Sequence, residues 1–195
     1  MSSQVSSEVL SRAWLSGRAQ KIFWSTVIII LALDLVSKWA AFKYITGDAS
    51  KPETIEPIVV LPGFLEFTKV LNPGAVFGMG KGGGLLFIAA TLVAVGFLLQ
   101  LFAKSRPDQR VVHFLLAMSL GGALGNLYDR AIFSRVRDMI HISTEIVGIP
   151  VWPWVFNVAD VALVVGIGVL LLGWTIGVLE LPACSSCKKT SSDCR

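Results

Sequence analysis

The stretch Val155–Leu172, VFNVADVALVVGIGVLLL, decides the fold class, because it is long and apolar enough to cross a bilayer. Its one charged residue is Asp160, and Asp34 interrupts a second apolar run, Val27–Val36, in the same way. An Asp near the centre of a spanning helix costs roughly 2.5–3.5 kcal/mol on insertion scales, so the two together cost about 5–7 kcal/mol. Whole domains are stable by roughly 5–15 kcal/mol. These carboxylates are therefore expected to serve chemistry or a specific partner.

The composition agrees with a membrane location. Hydrophobic residues make up 54% of the 195 residues and charged residues only 15%, whereas about a quarter of a soluble domain is charged. At this length the chain is expected to form one compact domain. The net charge of +4 is spread between apolar runs and forms no basic stripe with interleaved aromatic residues, which argues against nucleic acid as a partner.

The cysteines, Cys184, Cys187 and Cys194, all lie in the polar C-terminal tail. An odd number of cysteines in such a tail is not typical of a disulfide framework. Cys184 and Cys187 have the spacing of half a zinc site, but no second pair of ligands lies nearby. We therefore expect free thiols, and neither a metal nor another cofactor.

Four stretches have the length and apolarity of transmembrane helices: Phe23–Phe42, Leu85–Ala103, Val111–Leu127 and Val158–Leu181. The first is not a cleavable signal peptide, because it carries Asp34 and Lys38 and leads into a charged loop. The sequence therefore predicts an all-α polytopic membrane protein with four transmembrane helices. Residues 23–181 form its membrane domain, between an N-terminal tail, residues 1–22, and a C-terminal tail, residues 182–195.

The distribution of charge predicts the orientation. The two tails, counted with Glu180 just before the second, and the Lys104–Arg110 loop hold nine basic and four acidic residues, a net charge of +5, whereas the remainder has a net charge of −1. Basic residues concentrate in cytoplasmic segments, so both termini and this loop are predicted to be cytoplasmic. Residues 43–84 and 128–154 then form the outer loops. In the first, Thr54–Val60 and Phe64–Val70 flank a turn at residues 61–63, which predicts a small extracytoplasmic β-hairpin or sheet.

Polar residues that are unusual in a membrane domain gather towards the predicted outer face. Asn157 and Asp160 share one face of the fourth span, and Asn126, Asp129 and Arg130 share one face of the third. Two carboxylates held close together share a proton, so one can act as general base on water and the other as general acid. No Ser–His or Cys–His nucleophile is evident, and a lone outer histidine is too little for a metal site.

Sequence position alone leaves several acids that could form this pair: Asp34, Asp129, Asp138 and Asp160. Two of them have a cation close in sequence, Lys38 for Asp34 and Arg130 for Asp129. A neighbouring cation favours the ionised form of a carboxyl group and makes it a poor proton donor. This argument favours Asp138 and Asp160 as the pair, although Arg137 adjoins Asp138.

Five short blocks follow one another between residues 31 and 172: DLVSK at Asp34–Lys38, NPGAVF at Asn72–Phe77, GGALGNLYDR at Gly121–Arg130, VRD at Val136–Asp138 and FNVAD at Phe156–Asp160. With four spans, this pattern resembles the bacterial lipoprotein signal peptidases, also called signal peptidase II. The resemblance implies an aspartic endopeptidase that removes the signal peptide from prolipoproteins, cutting just before a diacylglyceryl-modified cysteine. Met139 and Val161 depart from the family pattern, which affects only the expected fine specificity.

The resemblance also implies roles for individual residues. The catalytic aspartates fall on Asp138 and Asp160. The substrate-binding residues fall on Asn72, Asn126, Arg130 and Asn157, and the residues that support the site on Asp34, Lys38, Gly74 and Asp129. The implied location is the bacterial inner membrane, with the site near the outer face. The implied partners are the lipid-modified prolipoprotein and membrane lipids, and a monomer is expected.

Two other functions account for part of the sequence. A small transporter or channel subunit would use Asp34 and Asp160 as a proton or cation relay, although the acids cluster towards one face. A non-catalytic lipid-binding scaffold explains the apolar surface but leaves two carboxylates without a role. Structural roles also compete at single residues, because Asn157 suits a helix N-cap and Arg130 suits an interfacial side chain with its charge in water.

Overall fold

The computed structural model describes residues 12–74, 83–146 and 149–179. Its helices, which follow a short 3₁₀ turn at Ala13–Leu15, are α1 (Gly17–Tyr44), α2 (Gly83–Lys104), α3 (Arg110–Phe133) and α4 (Val158–Thr175). All four are long and apolar enough to cross a membrane, so this part of the prediction is confirmed. The three cysteines and Phe77 lie outside the described residues.

Three helix ends differ most from the predicted bounds. Helix α1 begins at Gly17, before the predicted Phe23. Helix α3 runs on to Phe133, beyond the predicted Leu127, and stops where the next residue takes a left-handed conformation. Helix α4 ends at Thr175, before the predicted Leu181, because Gly177 has a φ of 73° and the chain folds back on the last helical turn. A left-handed glycine of this kind is a common way to end a helix.

The β structure is larger than predicted, so the chain is not all-α. The strands are β1 (Thr46–Asp48), β2 (Lys51–Glu56), β3 (Ile58–Leu61), β4 (Leu65–Asn72), β5 (Val136–Ile142), β6 (Glu145–Ile146), β7 (Ile149–Pro150) and β8 (Val155–Phe156). An antiparallel sheet contains β3, β4, β5 and β8 in that order. The pairs β1–β2 and β6–β7 form two-stranded ribbons.

The predicted hairpin is correct in its turn and wrong in its first strand. Strands β3 and β4 pair around a turn in which the Phe64 N–H donates to the Leu61 carbonyl oxygen at 3.0 Å. The predicted strand Thr54–Val60 is two strands, because Pro57 separates β2 from β3. Proline has no N–H to donate to a neighbouring strand, so it interrupts the pairing.

A buried lysine joins the sheet to the helices. Lys69, on β4, donates from Nζ to the carbonyl oxygen of Ile45 at 2.8 Å, just beyond the C-terminal end of α1. A cation is favourable at this position because the helix dipole places partial negative charge there. The contact fixes β4, and β5 beside it, above the ends of the helices.

Helix α3 is the central helix of the bundle. In the most apolar 18 residues of each helix, buried residues make up 67% of α3, compared with 28% of α1 and of α4 and 11% of α2. Its glycines allow this close packing, since a methyl group at Gly122 would overlap the Ala159 carbonyl and one at Gly125 would overlap the Asp34 carboxylate. The small side chains of α3 thus let α1 and α4 approach it closely.

We expect Gly125→Ala to destabilise the fold by about 1–3 kcal/mol, because the added methyl group would displace the Asp34 carboxylate from a packed interior. The matched control is Gly168→Ala on α4, where a methyl group would meet no atom within 4 Å. That variant should be neutral or slightly more stable, since alanine favours the helix over glycine. Thermal unfolding in detergent, followed by tryptophan fluorescence, measures both. Equal melting temperatures for the two variants would contradict the close approach at Gly125.

Candidate active site

The two candidate acids lie on different elements that meet at one end of the bundle. Asp138 is on β5, and Asp160 is in the first turn of α4. This is the end at which α1 and α3 finish and α4 begins. The same region receives Asn72 from the last position of β4 and Asn126 from α3. The fold therefore brings together polar residues from four separate sequence blocks.

Asp138 is buried, with only 2% of its surface exposed. Its Oδ1 accepts a hydrogen bond of 2.6 Å from Asn157 Nδ2, and its Oδ2 accepts one of 3.0 Å from Asn72 Nδ2. Burial raises the pKa of Asp138 to about 6, and the nearby charge of Asp160 adds to this rise, while the two amide hydrogen bonds oppose it. A carboxyl group in this environment keeps its proton at a higher pH than an ordinary aspartate.

Asp160 is held by a reciprocal pair of hydrogen bonds at the start of α4. The Asp160 N–H donates to Asn157 Oδ1 at 3.0 Å, and the Asn157 N–H donates to Asp160 Oδ2 at 3.1 Å, which together make a capping box. Asn157 is thus an N-cap, as the structural interpretation predicted. Its side chain also reaches Asp138, so the two acids are joined through one asparagine.

A fully buried lysine fixes the orientation of Asn126. Lys38 Nζ lies 2.7 Å from Asp34 Oδ2, 3.0 Å from Asn126 Oδ1 and 3.2 Å from Asp129 Oδ2, so the predicted pairing with Asp34 is present. An ammonium group has donors only, so Asn126 must turn its oxygen towards Lys38 and its NH₂ group away from it. That NH₂ group donates to Asp160 Oδ1 at 2.7 Å. Lys38 therefore determines which group Asn126 offers to Asp160.

The cation partner predicted for Asp129 is wrong. Asp129 pairs with Lys38 and with Arg137, whose Nη2 lies 2.7 Å from Asp129 Oδ1, and the backbone N–H of Arg137 donates to Oδ2 at 3.0 Å. Successive side chains on a strand point to opposite faces, so Arg137 faces Asp129 while Asp138 faces Asn157. Sequence reasoning left Arg137 out of the site, and the strand alternation within VRD was the signal that could have found it.

The predicted supporting residue Gly74 acts through a tight turn. Gly74 has a φ of 81°, and its N–H donates to Asn72 Oδ1 at 2.8 Å. With its oxygen occupied in this way, the Asn72 side chain presents its NH₂ group to Asp138. Glycine suits this position because other residues rarely adopt a left-handed backbone.

The remaining predicted residue, Arg130, lies beside the acids without pairing with one of them at short range. Its Nη1 is 3.5 Å from the Asn126 carbonyl oxygen, and its charge acts on Asp129, Asp138 and Asp160. The cluster thus contains four carboxylates and three cations, Lys38, Arg130 and Arg137. The acidic side chains outnumber the basic ones by one, and an uncompensated buried charge is costly, so the cluster favours taking up one proton. Burial raises the pKa of Asp138 in particular.

The arrangement offers carboxyl chemistry at one end of the helices. Within residues 12–74, 83–146 and 149–179, no three His, Cys, Asp or Glu side chains are grouped so that they could hold a metal ion. The four clustered carboxylates lie together instead of following a path through the bundle. Such a pair of carboxyl groups, one protonated and one ionised, is suited to proton transfer to and from a bound water and an amide.

Comparison with known proteins adds the family to this geometry. The family model described as signal peptidase (SPase) II matches residues 26–176. The chain belongs to the signal peptidase II family. Relatives include the lipoprotein signal peptidase of Desulfitobacterium hafniense, 34% identical over 152 residues that cover 77% of this chain and 91% of the relative. The lipoprotein signal peptidase of Moorella thermoacetica is 35% identical over 161 residues, which cover 83% and 94%.

Solved structures confirm the fold of this signal peptidase II family member. Two bacterial membrane enzymes studied by the in meso method superimpose with TM-scores of 0.64 and 0.65, each at 23% identity. The first match covers 87% of this chain and 92% of the solved one, and the second covers 76% and 89%. Family membership confirms the predicted enzyme class, a membrane peptidase. Neither the proton-relay hypothesis nor the scaffold hypothesis predicts membership of a peptidase family.

Proposed function

We propose that this protein removes the signal peptide from diacylglyceryl-modified bacterial prolipoproteins, cutting just before the lipidated cysteine. The observation that carries the proposal is the pair of carboxyl groups, Asp138 and Asp160, both hydrogen-bonded to Asn157 in a buried cluster. Family membership supplies the substrate class, since the relatives are lipoprotein signal peptidases. The peptide bond to be cut is an amide, which this pair is chemically equipped to hydrolyse.

The proposed mechanism uses one proton shared by the pair. Burial favours that proton on Asp138, so Asp160 is assigned the role of general base. Asp160 takes a proton from a water molecule, whose oxygen attacks the amide carbon as Asp138 protonates the amide oxygen. When the tetrahedral intermediate collapses, Asp160 gives its proton to the leaving cysteine nitrogen, and Asp138 recovers its own from the hydroxyl group. Atoms and protons balance without a metal or a covalent intermediate.

The proposed roles of the neighbours follow from their contacts. The two carboxylates accept hydrogen bonds from three amide side chains, those of Asn72, Asn126 and Asn157. We propose that these amides also contact the substrate backbone. Arg130 offers donors to carbonyl or ester oxygens of the substrate. The proposed supporting residues keep the asparagine side chains in position: Asp34, Lys38, Gly74 and Asp129.

We further propose that the protein is a monomer in the bacterial inner membrane. The basic loop between α2 and α3 lies at the opposite end of α3 from Asp138 and Asp160, so a cytoplasmic loop puts the catalytic pair near the outer face. Both tails are then cytoplasmic, residues 23–181 form the membrane peptidase domain, and the sheet is extracytoplasmic. Attaching a reporter enzyme after residue 195 and in the 105–109 loop tests this orientation.

The direct test of the activity is cleavage by the detergent-purified protein. One prolipoprotein is supplied in two forms, with and without the diacylglyceryl group on its cysteine. The expected result is cleavage of the lipidated form alone, with a product whose mass begins at the modified cysteine. Failure of the folded protein to cut either form would overturn the proposal, and equal cutting of both would reject the lipid requirement.

The rate should decline as pH rises above about 6. The folded-state pKa of Asp138 is raised above its ordinary 3.8, so its proton is present below about pH 6 and lost above it. Because the mechanism needs one proton on the pair, kcat/KM should fall about tenfold per pH unit well above that value. Bound substrate displaces water and raises the pKa further, so the decline in kcat should begin at a higher pH. Constant kcat/KM between pH 5 and 8, with the protein folded throughout, would contradict this assignment.

A further inference from the structure

Phe87, near the start of α2, is a half-buried aromatic residue that the proposed mechanism does not use. The guanidinium carbon of Arg130 lies 5.4 Å from the centre of its ring. The ring also contacts Gly74, since a methyl group there would come within 2.8 Å of Phe87 Cε2. One side chain therefore touches both the arginine and the turn that holds Asn72.

Among the residues that the structure describes, few other directional contacts fix the position of Arg130. Its hydrogen bond to the Asn126 carbonyl oxygen is long, 3.5 Å, and its attraction to the clustered acids is a charge effect without a preferred angle. A cation held over an aromatic face within about 6 Å is attracted to that face, more strongly when water is excluded. The Phe87 ring thus gives the guanidinium group a defined place and direction.

We infer that Phe87 is a positioning residue, which holds Arg130 and the Asn72–Gly74 turn in the geometry that binds the lipid-modified cysteine of the substrate. This inference rests on the proposed function. Arg130 directs its free N–H groups at the ester carbonyl oxygens of the diacylglyceryl group, and the exposed part of the ring covers the adjoining methylene groups. The lipid-modified end of the substrate is thereby recognised by a cation and an apolar surface side by side.

The kinetic test compares Phe87→Leu, which stays apolar but loses the aromatic face, with Phe87→Tyr, which retains it. We expect Phe87→Leu to raise KM for the lipidated prolipoprotein about three- to tenfold with kcat nearly unchanged, and Phe87→Tyr to restore KM. The matched control is Phe97→Leu, whose side chain is 58% exposed and lies about 15 Å further along the same helix. An unchanged KM in Phe87→Leu, or equal rises in the Leu and Tyr variants, would overturn the inference.

A second measurement does not depend on cleavage. Thermal unfolding of Phe87→Leu, Arg130→Gln and the double variant forms a double-mutant cycle, which isolates the interaction between the two side chains. We expect the double variant to be less destabilised than the sum of the single variants. Strict additivity would show that the ring does not hold the arginine. Absence of cleavage by the wild-type protein would reject the proposed function and leave this cycle as the independent test of the contact.

Discussion

Asp138→Asn and Asp160→Asn should each lower kcat by about 10²–10⁴-fold, because either change removes a group that gains and loses a proton in every turnover of the proposed mechanism. An amide side chain has a similar shape but cannot exchange a proton in this way. The proposed mechanism assigns substrate binding to other residues, so KM should change much less than kcat. Initial rates with the lipidated prolipoprotein, measured in detergent, give both constants.

The contacts of Asp160 predict a moderate loss of stability as well. Its two oxygens accept from Asn126 Nδ2 and from the Asn157 N–H, so an asparagine there must turn its NH₂ group towards one donor. Asn126 cannot turn over to compensate, because Lys38 donates to its oxygen. One unsatisfied buried donor costs about 1–3 kcal/mol, which lowers the melting temperature without unfolding the protein.

The matched control for both variants is Asp48→Asn, at an exposed aspartate on β1 outside the cluster. It makes the same chemical change and should cleave at the wild-type rate. Near-normal kcat in Asp138→Asn or Asp160→Asn would rule out the two-carboxylate mechanism. A thermal unfolding curve for each preparation separates loss of chemistry from loss of fold.

Lys38→Met should destabilise the protein by about 3–5 kcal/mol, which is the largest stability effect expected for a single change here. Methionine can fill the space of the lysine stem, but Asp34 and Asp129 would lose the ammonium group that lies within 3.2 Å of both. An uncompensated buried charge is strongly unfavourable. Asn126 would also be free to turn over, so kcat should fall in whatever folded protein remains.

The control for this change is Lys51→Met, at an exposed lysine on β2. Its removal should change stability by no more than about 0.5 kcal/mol, as for most surface positions. Melting temperatures in the same detergent allow a direct comparison. Similar values for Lys38→Met and the wild type would mean that the buried ion pairs do not support the fold.

The four spans could be predicted from sequence because apolarity over a fixed length is a local property. The β3–β4 hairpin could also be predicted from its turn, but the rest of the sheet could not. Strand β4 pairs with β5 across a register that joins Asn72 to Val136, and no local pattern specifies such a distant partner. The division of the first predicted strand could have been predicted, because the missing N–H of Pro57 is a local signal that interrupts strand pairing.

The candidate site was predictable in part for a similar reason. The pairing of Asp34 with Lys38 follows from their spacing of one helical turn, and the structure contains it. The partner of Asp129 was wrong, because Arg137 approaches it from another element. The catalytic and binding roles themselves stay predictions until the variants are measured.

The capping box at the start of α4 has an evolutionary consequence. Asp160 is part of the capping box at the N-terminal end of α4 and also supplies a carboxylate to the proposed reaction. A substitution of Asp160 is therefore expected to impair folding and catalysis together. Many enzymes become more stable when a polar residue of the active site is replaced. Replacing Asp160 would instead lower stability, because its capping hydrogen bonds would be lost. Selection for robustness and selection for activity therefore favour the same residue. We therefore expect resistance to an inhibitor of the proposed site to arise at positions around Asp160 and not at Asp160 itself.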